Sequence, residues 1–274
     1  MLNNATTKLS VEAVLKAKAP RLAKFLPQFV IKWFERTICQ DELNGILERH
    51  SGKRGVEFAT AIIKDLNIAL DIEGIENIPA QGRYIFASNH PLGALDGIAL
   101  ISFLGDRFNK RVKFLVNDIL MNIEPLRDAF LPINKHGGQG REAVSIINDA
   151  FASDNQIVTF PAGLCSRNLH GDVIEDLQWQ KDFITKSVKY QRDIIPVYFE
   201  GYNSRFFYRL GKIRRRLGLK INIEMIYLPS EIFKSRNKRY VIYFGKPIAW
   251  QKFDASKSAV DWALNVRETV YSLK

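Results

Sequence analysis

The sequence predicts an α/β fold, a sheet sandwiched between helices, with an N-terminal helical extension. Three observations predict it. Apolar residues recur at helical spacing through residues 1–70. From Ile72 the chain switches to short apolar runs broken by Gly and Pro, and these alternate with helical patterns. Its 274 residues, 46% of them hydrophobic, are enough to fill one large core and an extension. The expected division is therefore residues 1–70, a helical segment able to contact a membrane, and residues 71–274, the α/β domain.

In the extension, Pro20 suits the first turn of a helix, and Leu22, Phe25, Leu26, Phe29, Val30 and Trp33 then recur at helical spacing. Pro27 is expected to kink that helix. Gly52 and Gly55 bracket a basic loop, Lys53-Arg54, before Val56, Ala59, Ile62, Ile63 and Leu66 restore the period. Beyond it, 83–88, 112–116, 156–160, 194–199, 221–225 and 240–244 read as strands, and 97–104, 139–152 and 178–190 as helices.

Charged residues make up 25% of the chain, which excludes a disordered composition. A net charge of +11 attracts polyanions, and the candidates are nucleic acid, an anionic membrane surface or an acidic substrate carrier. Cys39 and Cys165 form no C-x-x-C, so neither a zinc site nor a disulfide framework is expected, and a reducing cytosol is the plain reading. No signal-peptide pattern opens the chain, and no apolar run reaches the ~18 residues of a membrane span.

Lys212, Arg214, Arg215, Arg216 and Lys220 form a dense basic run beside Tyr202, Phe206, Phe207 and Tyr208. Such a run is either a solvated face or a patch for an anionic membrane. No recognised nucleic-acid motif accompanies it, so nucleic acid is not the expected partner. The stripe from Leu22 to Trp33 suits a bilayer interface, or packs on the domain.

Two segments can carry chemistry. In Asn89-His90-Pro91-Leu92-Gly93-Ala94-Leu95-Asp96-Gly97, an imidazole and a carboxylate stand where a strand gives way to a helix. A neutral imidazole takes a proton from an alcohol, and a carboxylate on its other nitrogen holds the tautomer. Six residues along an unbroken helix would turn Asp96 onto another face, so the Pro91-Leu92-Gly93 turn must be irregular for the pair to meet. The alternative makes Asp96 a helix cap and His90 a structural histidine. The second segment, Phe160-Pro161-Ala162-Gly163-Leu164-Cys165-Ser166-Arg167, closes a strand with a Pro-x-Gly turn. Gly163 lets backbone N–H groups converge on an anion, and Ser166 and Arg167 add donors. It lacks the G-x-S-x-G elbow of a serine hydrolase.

In order, these segments resemble the glycerolipid acyltransferase family, of the lysophosphatidic-acid acyltransferase type. Glu73-Gly74-Ile75-Glu76-Asn77-Ile78-Pro79 followed by Tyr84 to Asn89 is similar to the family's lead-in to its N-H-x-x-x-x-D block. Leu131-Pro132-Ile133-Asn134-Lys135 resembles the second block, Phe160 to Ser166 the third, and Ile194-Ile195-Pro196-Val197 the fourth. One extra residue separates His90 from Asp96, Ala162 replaces the usual Glu, and Asn134-Lys135 stands for Asp-Arg. The wider spacing, the Pro-Ala-Gly turn and Asp176-Leu177-Gln178-Trp179-Gln180-Lys181 are similar to the haemolysin-like branch, which includes O-acyltransferases of ornithine- and glycine-type aminolipids.

The resemblance implies a mixed sheet and a peripheral enzyme at the cytoplasmic face of the cell membrane. His90 is the implied base and Asp96 its orienting partner. The donor is an acyl-carrier protein or coenzyme A thioester, a co-substrate, and no metal or other cofactor is implied. Asn89, Lys135, Phe160, Pro161, Gly163, Ser166 and Arg167 are the implied acceptor-binding residues, and Trp33, Arg214, Arg215 and Arg216 would dock membrane or donor. The favoured acceptor is a lyso-aminolipid. The alternatives are lysophosphatidate and, from another class, a non-catalytic basic binding protein.

Overall fold

The structure, a computed structural model, describes residues 8–18, 20–117, 120–121, 123–133, 140–170, 173–219 and 221–274. The chain forms two compact units, Met1–Lys53 with Ser204–Arg236, and Arg54–Asn203 with Asn237–Lys274. The N-terminal part of the first unit ends at residue 53, where the expected division stood at residue 70, and the unit also takes in a later stretch.

The first unit is helical. It contains α1 (Val11–Lys18), α2 (Pro20–Phe25), α3 (Gln28–Thr37), α4 (Gln40–Arg49), α9 (Arg205–Arg216) and α10 (Leu228–Phe233). Pro20 opens α2, as its fixed φ and missing donor suit a first turn. Pro27 does more than kink: it stands before α3 at φ −61°, ψ 146°, in extended backbone, and separates two helices. The run 221–225, expected as a strand, enters a 3₁₀ turn over Ile223–Tyr227. No strand lies in this unit among the described residues, so that short apolar run has nothing to pair with.

The second unit carries the sheet. Its strands are β1 (Ala69–Glu73), β2 (Tyr84–Ser88), β3 (Val112–Asn117), β4 (Phe130–Ile133), β5 (Gln156–Thr159), β8 (Asp193–Glu200) and β9 (Arg239–Phe244), in the order β1-β9-β8-β2-β5-β3-β4. All neighbours are parallel except β8 and β9, which makes the sheet mixed. A two-stranded hairpin, β6 (Arg167–His170) with β7 (Val173–Glu175), stands apart. Helices α5 (Gly55–Asp65), α6 (Leu95–Arg107), α7 (Arg141–Ala152), α8 (Asp182–Tyr190) and α11 (Ala259–Tyr271) complete it. Periodicity and apolar runs in the sequence do not reveal β1, β4, the hairpin, α9, α10 or α11 as regular elements.

Strand β2 is buried along its whole length, as a central parallel strand covered on both faces must be. Its pairing with β8 aligns Ala87 with Pro196 and Ser88 with Val197. Pro196 is tolerated in this inner strand because it precedes the β8–β9 ladder, whose first pair is Val197 with Phe244. Helix α5 belongs to this unit because Val56, Phe58, Ala59, Ala61, Ile62 and Ile63 on it are buried. Gly105 on α6 permits the close approach: a Cβ there would lie 2.4 Å from Val56 Cγ2.

Candidate active site

Strand β2 ends at Ser88 and α6 begins at Leu95, so the intervening turn presents His90 at the carboxyl end of the sheet. The turn is irregular, with Gly93 at φ +77°. That backbone brings His90 Nδ1 within 2.9 Å of Asp96 Oδ2, although the two residues would occupy different faces of a continuous helix. Asp96 is fully buried, and the His90 side chain is 15% exposed. Asp96 Oδ2 also accepts the N–H groups of Leu92 at 2.9 Å and Gly93 at 3.3 Å, and Oδ1 accepts that of Gly97 at 2.9 Å. Asp96 is thus not the N-cap of α6, which is Ala94: it lies in the first turn of the helix and holds both the preceding turn and the imidazole. As Asp96 only accepts, the imidazole proton belongs on Nδ1 and the lone pair on Nε2, the tautomer a general base requires. The ring of Phe160 stacks on the imidazole at 3.9 Å and 18° and restrains its rotation.

Phe160 follows β5 directly, and the Pro-x-Gly turn comes next. Gly163, at φ +67°, donates its N–H to the Phe160 carbonyl at 2.8 Å, and the Pro161 carbonyl accepts from Gln180 N–H at 3.0 Å. Ser166 N–H donates to the His90 carbonyl at 2.8 Å, and its hydroxyl to Asp176 Oδ1 at 2.6 Å. The N–H of Gly163 and both donors of Ser166, expected to face an acceptor anion, are engaged within the protein and hold this turn against His90. Arg167 is buried at the start of β6. Ala162 belongs to the apolar cluster that contains Trp179 and Phe183, where a carboxylate would lie buried. Burial pushes the Cys165 thiol up to about 12, so it is no nucleophile near neutral pH.

Asn89 also differs from expectation. Its side chain is buried, donates to the Phe199 carbonyl at 3.0 Å and accepts the Phe199 N–H at 2.6 Å. Through one N–H and its carbonyl oxygen, the amide ties the end of β2 to β8. Lys135 lies outside the described residues.

Asp176, which the sequence marks only as the start of a stretch similar to the haemolysin-like branch and to which it gives no role, is central here. It follows β7 and is 1% exposed. It accepts the His90 N–H at 3.1 Å, the Ser166 hydroxyl, and the Trp179 indole N–H at 2.9 Å. Its own N–H donates to the Tyr271 hydroxyl at 2.9 Å, and its carbonyl accepts from Arg267 at 3.3 Å. The available signal was an Asp three residues before a Trp, a pair able to bond when both are buried.

In the helical unit, Trp33 is 46% exposed and contacts Phe34 and Tyr227 edge-on. Arg215 and Arg216 are exposed, whereas Arg214, expected with them as a docking cation, is buried. Its Nε lies 3.1 Å from Glu224 Oε2, and its guanidinium donates to the Leu219 carbonyl at 2.9 Å. Helical phase explains the split, since consecutive residues on a helix face different sides. Among the described residues, no helix is long and apolar enough to cross a membrane. No His, Cys, Asp and Glu group fit for a metal ion occurs among them either.

The acyltransferase family profile matches residues 13–274. A protein of Bacteroides thetaiotaomicron named lyso-glycine lipid O-acyltransferase is 45% identical over 273 residues, covering 100% of both chains. A protein of the same name from Phocaeicola vulgatus is also 45% identical over 273 residues, covering 100% of this chain and 98% of that one. The crystal structure of PlsC, the 1-acyl-sn-glycerophosphate acyltransferase of Thermotoga maritima, aligns with a TM-score of 0.47 at 17% identity, over 89% of this chain and 95% of that chain. The non-catalytic reading is displaced, and the histidine and aspartate that meet here do so in an enzyme: the chain is an acyltransferase and belongs to the glycerolipid acyltransferase family.

Proposed function

We propose that this acyltransferase completes a glycine-type aminolipid, moving a fatty acyl group from a thioester to the free hydroxyl of the lyso-lipid. The observation that carries the reaction is the 2.9 Å contact of His90 with a buried, acceptor-only Asp96. His90 Nε2 takes the hydroxyl proton as the acceptor oxygen attacks the thioester carbonyl. The carbon–sulfur bond then breaks, the new ester remains, and the proton returns from the imidazolium to the leaving thiolate. Asp96 stabilises the imidazolium between these steps. No acyl-enzyme is required, because the acceptor oxygen is itself the nucleophile.

The acceptor reading is supported by two relatives of the same name at 45% identity across the whole chain. It is also supported by Ala162, which leaves the third block without a carboxylate, and by Lys135 in place of a fork-shaped Arg. A headgroup with one carboxylate needs fewer cationic contacts than a phosphate monoester. In this reading Lys135 contacts the headgroup, and the donor is an acyl-carrier protein or coenzyme A thioester.

The enzyme works at the cytoplasmic face of a membrane, to which it attaches peripherally. Phe25 and Phe29, 85% and 73% exposed, supply apolar area with Trp33. Leu217, Leu219 and Ile221, 67%, 47% and 76% exposed, follow Arg215 and Arg216 and supply more. Exposed aromatic and aliphatic groups next to exposed cations are the composition that binds an anionic lipid surface.

The test compares kcat/KM for lyso-glycine lipid and lysophosphatidate, each with acyl-carrier protein and coenzyme A thioesters. Lyso-glycine lipid is expected to be the better acceptor with either donor. Preference for lysophosphatidate would overturn the acceptor assignment and leave the acyltransferase assignment standing.

A further inference from the structure

We propose that Asp176 is a positioning residue for acyl transfer: it fixes the main chain of His90 against the turn that follows β5 and so sets where imidazole Nε2 points. This rests on His90 being the base. Both peptide groups of His90 are held, its N–H by Asp176 Oδ1 and its carbonyl by Ser166 N–H, and the hydroxyl of Ser166 donates to the same Oδ1. One oxygen thus serves the base and the turn that stacks Phe160 on it. The other oxygen takes the Trp179 indole N–H, which anchors the carboxylate to the lead-in of α8. Tyr271 and Arg267 hold the main chain of Asp176 from α11. Three donors from three segments converge on a side chain that water does not reach.

Burying a carboxylate is costly, and a site that needed only packing is better filled by an apolar group. A base must be held to a fraction of an ångström, since a displacement of about 1 Å costs on the order of 100-fold in rate. Asp96 and Phe160 orient the ring, and Asp176 orients the backbone from which the ring hangs. The C-terminal helix, far from the substrate-facing nitrogen, thereby gains an influence on turnover.

Three variants test this. Asp176→Asn keeps one oxygen for His90 and Ser166 but turns an amide NH₂ toward the Trp179 N–H, donor against donor. It is expected to lower kcat about tenfold or more, with both KM values within about twofold. Adding Trp179→Phe removes the opposing donor and restores most of the lost kcat. Tyr271→Phe deletes the acceptor for Asp176 N–H while keeping the ring on Tyr198, and lowers kcat a few-fold.

A readout that needs no acceptor is the proton resonance of His90 Nδ1–H, assigned by its loss in His90→Ala. It should shift or broaden in Asp176→Asn and in Tyr271→Phe. Wild-type kcat and an unmoved resonance in both variants would overturn the proposal, as would a kcat loss equal to the fraction unfolded. If the wild-type protein does not turn over lyso-glycine lipid, the acceptor reading fails, and the resonance still decides the role of Asp176.

Discussion

Ser166 donates its backbone N–H to the carbonyl oxygen of His90 across 2.8 Å. Two motif blocks far apart in sequence are therefore bonded through main chain, and His90 cannot shift without the turn that follows Phe160. The reactive geometry belongs to the junction of β2 and β5, which are parallel neighbours in the sheet.

Removing the His90 imidazole tests its proposed role as base apart from folding. His90→Ala deletes a side chain that is 15% exposed, and the Asp96 carboxylate keeps three backbone donors. The thermal midpoint is expected to change little, while kcat falls about 100-fold or more. Near-wild-type turnover in the folded variant would remove His90 from the mechanism.

Asp96→Asn behaves differently. Both carboxylate oxygens accept N–H groups, so an amide in either orientation faces a donor with a donor. Activity should fall at least as far as in His90→Ala, and denaturant titration should show a further loss of about 1–3 kcal/mol. Wild-type stability in this variant would contradict the hydrogen-bond assignment.

Asn89→Ala tests whether that residue serves substrate or sheet. The buried amide satisfies both polar groups of Phe199, so its loss should lower stability by about 1–3 kcal/mol. The KM for either substrate should hold in the fraction that remains folded. A large rise in KM at unchanged stability would return Asn89 to the binding site.

The arginine run should divide by side of helix. Arg215→Gln with Arg216→Gln is expected to weaken binding to anionic vesicles by about 1 kcal/mol per charge, an effect that fades with salt. Arg214→Met leaves Glu224 buried without its cation, and should destabilise the protein by about 3–5 kcal/mol. Vesicle binding that ignores Arg215 and Arg216 would leave the apolar residues to carry the attachment alone.

Cys165 gives a pH dependence of known sign. Burial raises its thiol from the ordinary 9.0 to about 12, so between these values the folded chain keeps a proton that the unfolded chain releases. Its contribution to stability is full below pH 9.0 and is lost as pH rises toward about 12. Cys165→Ala should show a shallower decline than the wild type over that range. The native thiol should also resist alkylation at pH 8 until the protein unfolds. An equal decline in both proteins would mean that the thiol titrates alike in the two states.

Strands buried on both faces were legible because a continuous apolar run leaves little choice: Tyr84–Ser88 and the core of β8 stand where the pattern placed them. Helix α9 was hidden because Arg205–Arg216 carries five arginines and one lysine, and its charge masked a periodicity marked by Phe207 and Gly211 on the buried side. Strand β4 is four residues long and includes a proline, too short to show alternation. The His90–Asp96 pair was foreseeable from its turn. The closure of Asn89, Gly163 and Ser166 was not, because a residue's type shows that it can bond and leaves open which partner it meets. Asp176 shows the reverse, since its partners come from segments that only the folded sheet brings together.

Strands β8 and β9 are adjacent and antiparallel, an arrangement a hairpin of a few residues can join. The chain instead leaves this unit after Asn203, runs through Ser204–Arg236, and rejoins it at Asn237. Strand order makes no demand for that excursion, so its two ends mark the borders of an exchangeable cassette. Changes of length or charge confined to the helices between those borders are expected to leave the strand registers, and the His90–Asp96 geometry built on β2, as they are.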